Sequence, residues 1–299
     1  MHALLTALAV IWGAAAGLLA PRAAYRLAVE PDGPRRVACP EGRPLEGPLK
    51  GWLGLPRCPG DGEKPLVGAP DNPNTPPNAP GAPVEDPSTA PEHPGTPLED
   101  PSTLSKDPIP QPHCTRPHYF GPRAPVAAAV TAVVCGALAF TTGPRPELAA
   151  WLPLAPVAVL LALVDQASRR LPDVLTWPLA CGTVALLGLA ALLPGSGGSW
   201  TTALLGALAL GAVYLVLVLA NPAGLGLGDA KLALTLGASL GWYGWTVLVG
   251  GAVTGLALGA LYGWTQVALR RLTRKDVAPL GPSLLAGALA WLLLGGLAA

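Results

Sequence analysis

The sequence predicts an all-α polytopic membrane protein of about eight transmembrane helices, with one large Pro-rich cytoplasmic loop between the first and the second. Three observations carry this. Of 299 residues, 51% are apolar and 12% charged, about half the charge of an ordinary soluble domain. The polar residues are concentrated. Pro21 to Arg123 holds 24 of the 37 formal charges and 25 of the 36 prolines, whereas Ala124 to Leu269 holds eight charges in 146 residues. Outside the polar stretch the chain falls into apolar runs near the ~20 residues needed to cross a bilayer. A net charge of +1 excludes a strongly basic nucleic-acid binder. Five cysteines in a chain of this length do not make a disulfide scaffold.

The predicted spans are 3–20, 124–142, 148–165, 174–193, 201–220, 231–243, 245–269 and 278–298. The sixth is short, and Gly241-Trp242-Tyr243-Gly244 is the turn that separates it from the seventh. The many Gly and Ala residues suit close packing between helices. Orientation follows from Lys and Arg near the span ends. Arg22, Arg26, Arg35, Arg36, Arg116, Arg123, Arg169, Arg170, Lys231, Arg270, Arg271, Arg274 and Lys275 all fall on one side with eight spans, and Arg145 on the other. The N-terminus is then outside and the insertion cytoplasmic. A cleaved signal peptide needs positive charge ahead of its apolar run; here the charge follows it, so the first run reads as a retained span.

Residues 1–20 therefore form the first helix, 21–123 the cytoplasmic loop and 124–299 the membrane domain. Within the loop, 21–58 and 111–123 contain aromatic, Cys and Arg residues able to fold as a small unit. Residues 59–110 are rich in Pro and acidic or small polar residues, with an approximate duplication at Pro83–Thr89 and Pro97–Thr103. Such a tract buries too little apolar surface to offset chain entropy, and reads as a disordered linker.

Four acids lie between Ala124 and Leu269: Glu147, Asp165, Asp173 and Asp229. Glu147, beside Arg145 in an external turn, reads as ordinary. The other three lie at cytoplasmic span ends, where an ionisable group costs enough to be a functional candidate. Asp173 follows Pro172 and precedes an apolar run, so it reads as an N-cap. Asp165 has a local alternative partner in Arg169, four residues on. Asp229 closes a run with Gly224, Gly226 and Gly228 at alternate positions, which allow close backbone approach or torsions closed to other residues. Two carboxylates that meet share a proton. One acts as general base on water and the other polarises a carbonyl. That is aspartic peptide hydrolysis, with no metal or cofactor.

At these residues the chain resembles the aspartic prepilin peptidases. Asp165-Gln166-Ala167-Ser168-Arg169-Arg170-Leu171-Pro172-Asp173 resembles the family's Asp, six variable residues, then Pro-Asp. Gly226-Leu227-Gly228-Asp229-Ala230-Lys231 resembles its Gly-x-Gly-Asp-x-Lys block. Ala278-Pro279-Leu280-Gly281-Pro282-Ser283-Leu284 resembles its Pro-Phe-Gly-Pro-x-Leu block, with Leu280 in place of Phe. The resemblance implies that Asp165 and Asp229 are the catalytic pair, with Asp173, Gly226, Gly228 and Lys231 supporting them. It implies the fold of the Gly-x-Gly-Asp intramembrane aspartyl proteases, seated in the inner membrane with the site facing the cytoplasm. The implied partners are the lipid bilayer and a membrane-inserted prepilin or pseudopilin, cut between a short basic leader and an apolar helix; no nucleic acid is implied.

The loop departs from the family. Fuller members carry two Cys-x-x-Cys pairs there, associated with zinc and with N-methylation of the new amino terminus. Here Cys39-Pro40-Glu41-Gly42 and Cys58-Pro59-Gly60-Asp61 have one Cys each, and Cys114 lies beyond the Pro-rich tract with His113 or His118 as a fourth donor. The reading is reduced thiols and no metal, with N-methylation left open. The rival from another class is a transporter or channel that uses the same acids as ion ligands. Depth separates the two, since transport acids belong near mid-membrane.

Overall fold

A computed structural model of the chain describes residues 2–29, 36–39, 45, 52, 57–58, 118–119, 123–168, 171–220, 226–269 and 279–299. Among the described residues eight helices make up the body: α1 (His2–Leu27), α2 (Ala124–Thr142), α3 (Leu148–Ser168), α4 (Asp173–Ala191), α5 (Trp200–Ala220), α6 (Leu227–Gly241), α7 (Trp245–Ala268) and α8 (Gly281–Ala298). Seven of them are long and apolar enough to cross a membrane; the exception is α6, at 15 residues. The Pro-rich tract 59–110, Arg169, Arg170 and the basic residues from Arg270 to Lys275 lie outside the described residues.

Contacts between helix ends sort them into two opposite faces. At one face Gly197 N–H donates to Glu147 at 3.1 Å, Arg145 donates to the Gly296 carbonyl at 2.9 Å, and Ser199 N–H donates to the Trp242 carbonyl at 3.0 Å. At the other, Gly281 N–H reaches Asp165 and Lys231 reaches Asp173. The chain thus runs up and down, and α6 runs back along α5 despite its length. Measured from the shared Ser199–Trp242 level, α5 rises about 31 Å to Ala220, whereas Asp229 lies only about 20 Å up α6. The start of α6 is recessed by about 10 Å.

Close approach is built from small residues. A Cβ on Gly13 would stand 2.6 Å from the Thr131 carbonyl oxygen, and one on Gly17 would stand 2.7 Å from that of Ala127. These two glycines, four apart, let α1 lie against α2. Two core clusters fill the bundle. One, toward the Glu147 face, includes Leu138, Trp151, Leu187 and Trp242. The other, toward the Asp165 face, includes Leu161, Tyr214, Leu232 and Leu284.

The first helix is longer than its apolar run. The helix does not end at residue 20: it passes Pro21 and continues to Leu27, carrying Arg22 and Arg26 in buried positions. Arg26 lies over the Trp52 ring, 4.5 Å from its centroid. Arg57–Cys58 (β1) pairs antiparallel with His118–Tyr119 (β2), so the two sides of the insertion meet. Ala24, Leu27 and Trp52 pack with Val164, which sets this end of α1 beside Asp165.

One contact between α1 and α3 follows from proline chemistry. Pro156 lies inside α3 and has no N–H, so the carbonyl of Leu152 loses its helical partner. Trp12 Nε1 of α1 donates to that carbonyl at 2.9 Å. In hydrocarbon no water would replace it. Trp12→Phe keeps an aromatic side chain and removes the donor. It is expected to cost about 1 kcal/mol, seen as earlier unfolding in detergent micelles; an unchanged transition would contradict this role.

Candidate active site

Asp165 lies near the end of α3, three residues before Ser168, and is 4% exposed. Its Oδ2 accepts the N–H of Gly281 at 2.9 Å. Gly281 is the first residue of α8, so this N–H has no partner within its own helix, and the helix end favours negative charge. A Cβ on Gly281 would stand 2.7 Å from the same oxygen, so the carboxylate occupies the space a side chain would need.

Asp229 is the third residue of α6 and half-buried. Gly226 takes the N-cap position, and its N–H donates to Asp229 Oδ2 at 3.3 Å. This is one half of a capping box; glycine has no side chain to supply the other half. Asp229 therefore helps to cap its own helix. The glycines divide. Gly226 has φ −86° and ψ 153°, open to any residue, and a Cβ there would meet nothing closer than 3.8 Å. A Cβ on Gly228 would stand 2.8 Å from the Leu171 Cβ. Gly228 lets the start of α6 press against the α3–α4 connection, whereas nothing steric requires glycine at 226.

The fold brings Asp165 and Asp229 within electrostatic reach of one another. The chain separates them by 64 residues, and two helices lie between their own. Tyr214 on α5, 2% exposed, stands within the same reach of Asp229. Its height agrees: counted from Ser199, Tyr214 lies about 22 Å up α5, level with Asp229.

Asp173 is not the N-cap. Pro172 holds that position with φ −70° and ψ 132°, and Asp173 is the first helical residue. Its carboxylate instead pairs with Lys231 Nζ at 2.5 Å. Lys231 also faces the Trp177 ring, 5.8 Å from its centroid. The pair is exposed enough, at 25% and 63%, that its net worth is below about 1 kcal/mol. It ties the start of α4 to the start of α6, two residues beyond Asp229. The alternative partner for Asp165, Arg169, lies outside the described residues.

Two residues near the site, Gly281 and Tyr214, were given no role from sequence, and a third at the opposite face, Glu147, was read as ordinary. Gly281 stood in a block with no assigned role. Tyr214 is the one phenol in the apolar run of α5. Glu147 is fully buried, not an ordinary turn residue, because the α4–α5 connection folds over it and Gly197 donates to its carboxylate. In the loop, Cys39 is buried against Tyr25 and Leu45. The side chains of Cys58, His113, Cys114 and His118 lie outside the described residues.

The profile of the type IV leader peptidase family matches residues 152–298, which include Asp165, Asp173, Asp229, Lys231 and Gly281. Similar proteins carry the name prepilin leader peptidase/N-methyltransferase. One from Burkholderia pseudomallei (strain 1026b) is 34% identical over 190 residues, 61% of this chain and 58% of that protein. One from Aeromonas salmonicida (strain A449) is 33% identical over 163 residues, 54% of this chain and 55% of that protein. One from Pseudomonas aeruginosa is 34% identical over 169 residues, 55% of this chain and 56% of that protein. The chain spans somewhat over half the length of these relatives. No solved structure matches it.

The geometry at Asp229 carries a steric test at its glycines. Gly228→Val is expected to push α6 away from Leu171 and lower peptide cleavage by about 10²-fold, and Gly226→Ala to leave it within about threefold. Initial rates at equal membrane levels check this. Equal losses from both would show that the glycines act through something other than space.

Proposed function

We propose that this protein is a membrane-embedded aspartic endopeptidase that removes the leader of a type IV prepilin or pseudopilin. What supports the reading is that Asp165 and Asp229 stand within electrostatic reach of one another, inside the stretch that matches the type IV leader peptidase family. The relatives' names supply the substrate class. In the reaction one carboxylate takes a proton from water as its oxygen attacks the scissile carbonyl carbon. The other carboxyl, protonated, gives its proton to the carbonyl oxygen. The tetrahedral species then collapses, the C–N bond breaks and the leaving amine takes up a proton. Gly281 N–H holds Asp165 in place, and the Asp173–Lys231 pair holds the starts of α4 and α6 in register.

The proposal places the protein in the inner membrane with this site facing the cytoplasm, on the strength of the Lys/Arg asymmetry. It covers peptide cleavage alone. The methyl-transfer half of the relatives' names is not carried over, because the loop has single cysteines where fuller members have pairs. The transporter reading draws no support from the relatives, whose names are those of peptidases.

The test is co-expression with a full-length prepilin and mass measurement of the prepilin's amino terminus. Loss of the leader only in cells that make this protein is the expected result. An intact leader at normal membrane levels of both proteins would overturn the proposal. On the same membranes, thiol labelling of engineered cysteines should find Ser88 cytoplasmic and Pro146 external; the reverse would put the site on the wrong face.

A further inference from the structure

A cavity of about 690 Å³ lies between α2, α3 and α8, with α4 and α6 behind it. We propose that it seats the apolar helix of the substrate and delivers the peptide bond at that helix's end to Asp165 and Asp229. The proposal rests on the peptidase reading above and gives that site its second half.

Position is the first argument. Gln166 and Pro282 line one end of the cavity, each one residue from Asp165 and from its hydrogen-bond donor Gly281. A substrate cut at the start of an apolar helix needs that helix to lie directly beyond the acids, and the cavity occupies this space.

Length is the second. The lining on α3 runs from Trp151 to Gln166, about 22 Å of helix. One leaflet accounts for about 15 Å, half of the ~30 Å hydrocarbon core. A phospholipid held by its headgroup at Arg123, at the mouth, would leave the far third empty, whereas about 15 residues of an apolar helix match the depth.

The walls are the third. Ala127, Ala155, Ala158, Ala162, Ala286 and Ala288 face the cavity from α2, α3 and α8. Small residues let one helix backbone come close to another. The opening agrees. At the Glu147 face α2 and α8 meet, with Thr141 against Gly296. Farther up, the lining residues Val126 and Val130 are 54% and 46% exposed, and Ala286 is exposed too. A helix already in the bilayer can enter sideways there.

Thr235 is the fourth. Its hydroxyl is buried, lines the cavity and has no hydrogen-bond partner among the described residues. Ser239 and Thr183, also in the lining, each donate to their own helix, to Thr235 O and Leu179 O. Thr235 does not. It lies six residues beyond Asp229, about 9 Å deeper, and offers a donor to a carbonyl or side-chain oxygen of the incoming helix.

The test uses the full chain with its five native cysteines replaced by serine and Asp229→Asn added to hold uncut substrate. Val130→Cys or Ala158→Cys is paired with single cysteines along the apolar helix of a co-expressed prepilin. Disulfide cross-links from these positions, and none from the outward-facing Val216→Cys on α5 or Val253→Cys on α7, are expected. In the active protein, Ala158→Phe should raise KM for the prepilin tenfold or more with kcat little changed. Cross-links from Val216 or Val253 alone, or an unchanged KM, would overturn the assignment while leaving the peptidase reading intact. Labelling of the cavity by a photoreactive phospholipid that prepilin does not displace would also overturn it. If the unmodified protein cuts no prepilin, the peptidase reading fails, and this proposal fails with it.

Discussion

Asp165→Asn and Asp229→Asn are each expected to lower the rate of leader removal by about 10³-fold or more, with the protein still inserted at its normal level. The amide keeps the size of each side chain and can still accept the Gly281 or Gly226 N–H, so the helices stay in place. What is lost is the capacity to take a proton from water or to hand one to the carbonyl. Because the two acids act as one unit, the double variant should fall little below either single one. Asp173→Asn differs in kind. It weakens an exposed ion pair that only positions α4 and α6, and it should lower the rate by about tenfold or less, on the ~1 kcal/mol scale of such pairs. Initial rates of prepilin processing, normalised to membrane level, check all four. Near-normal cleavage by either of the first two variants would remove that acid from the mechanism.

Gly281→Val carries the second large effect. The new side chain would begin 2.7 Å from Asp165 Oδ2 and 3.1 Å from its Cγ. Neither α8 nor the carboxylate can keep its position, and a displacement near 1 Å costs about 10²-fold in a site that depends on orientation. Gly281→Ala should show a smaller loss of the same kind, with kcat falling more than KM rises. Activity retained in the valine variant would mean that Asp165 is not held by α8 during turnover.

The helical plan was legible because a span is a long one-dimensional signal. The runs from 124 to 142 and from 201 to 220 need little more than apolar length, and α2 and α5 coincide with them within a residue. The two acids were legible for the opposite reason: in a stretch with eight charges in 146 residues, each charge stands out. Contacts made across the bundle were hidden. The Gly281 N–H reaches Asp165 over 116 residues, and Gly197 reaches Glu147 over 50. Neither partner carries a side chain, so only backbone geometry reveals the pairing. Glu147 looked solvated because it shares a short turn with Arg145, yet a second turn buries it. Asp173 was misplaced by one position, since Pro172 adopts the extended torsions of an N-cap itself, and helix boundaries shift by a residue or two on such details. The recession of Asp229 could be read only once α6 was seen to start at Leu227 and to share its far end with α5.

The claim on which the rest depends is that Asp165 and Asp229, carried on α3 and α6, form one site. A chain lacking its native cysteines, with Asp165→Cys and Asp229→Cys, tests this in native membranes with a thiol-specific cross-linker about as long as two carboxylate side chains. Proteolysis between the helices followed by mass measurement should find the α3 and α6 fragments joined. The same reagent should join neither to Val253→Cys on the outer face of α7. Fragments that separate cleanly, with both cysteines shown to react singly, would mean that the two carboxylates do not meet.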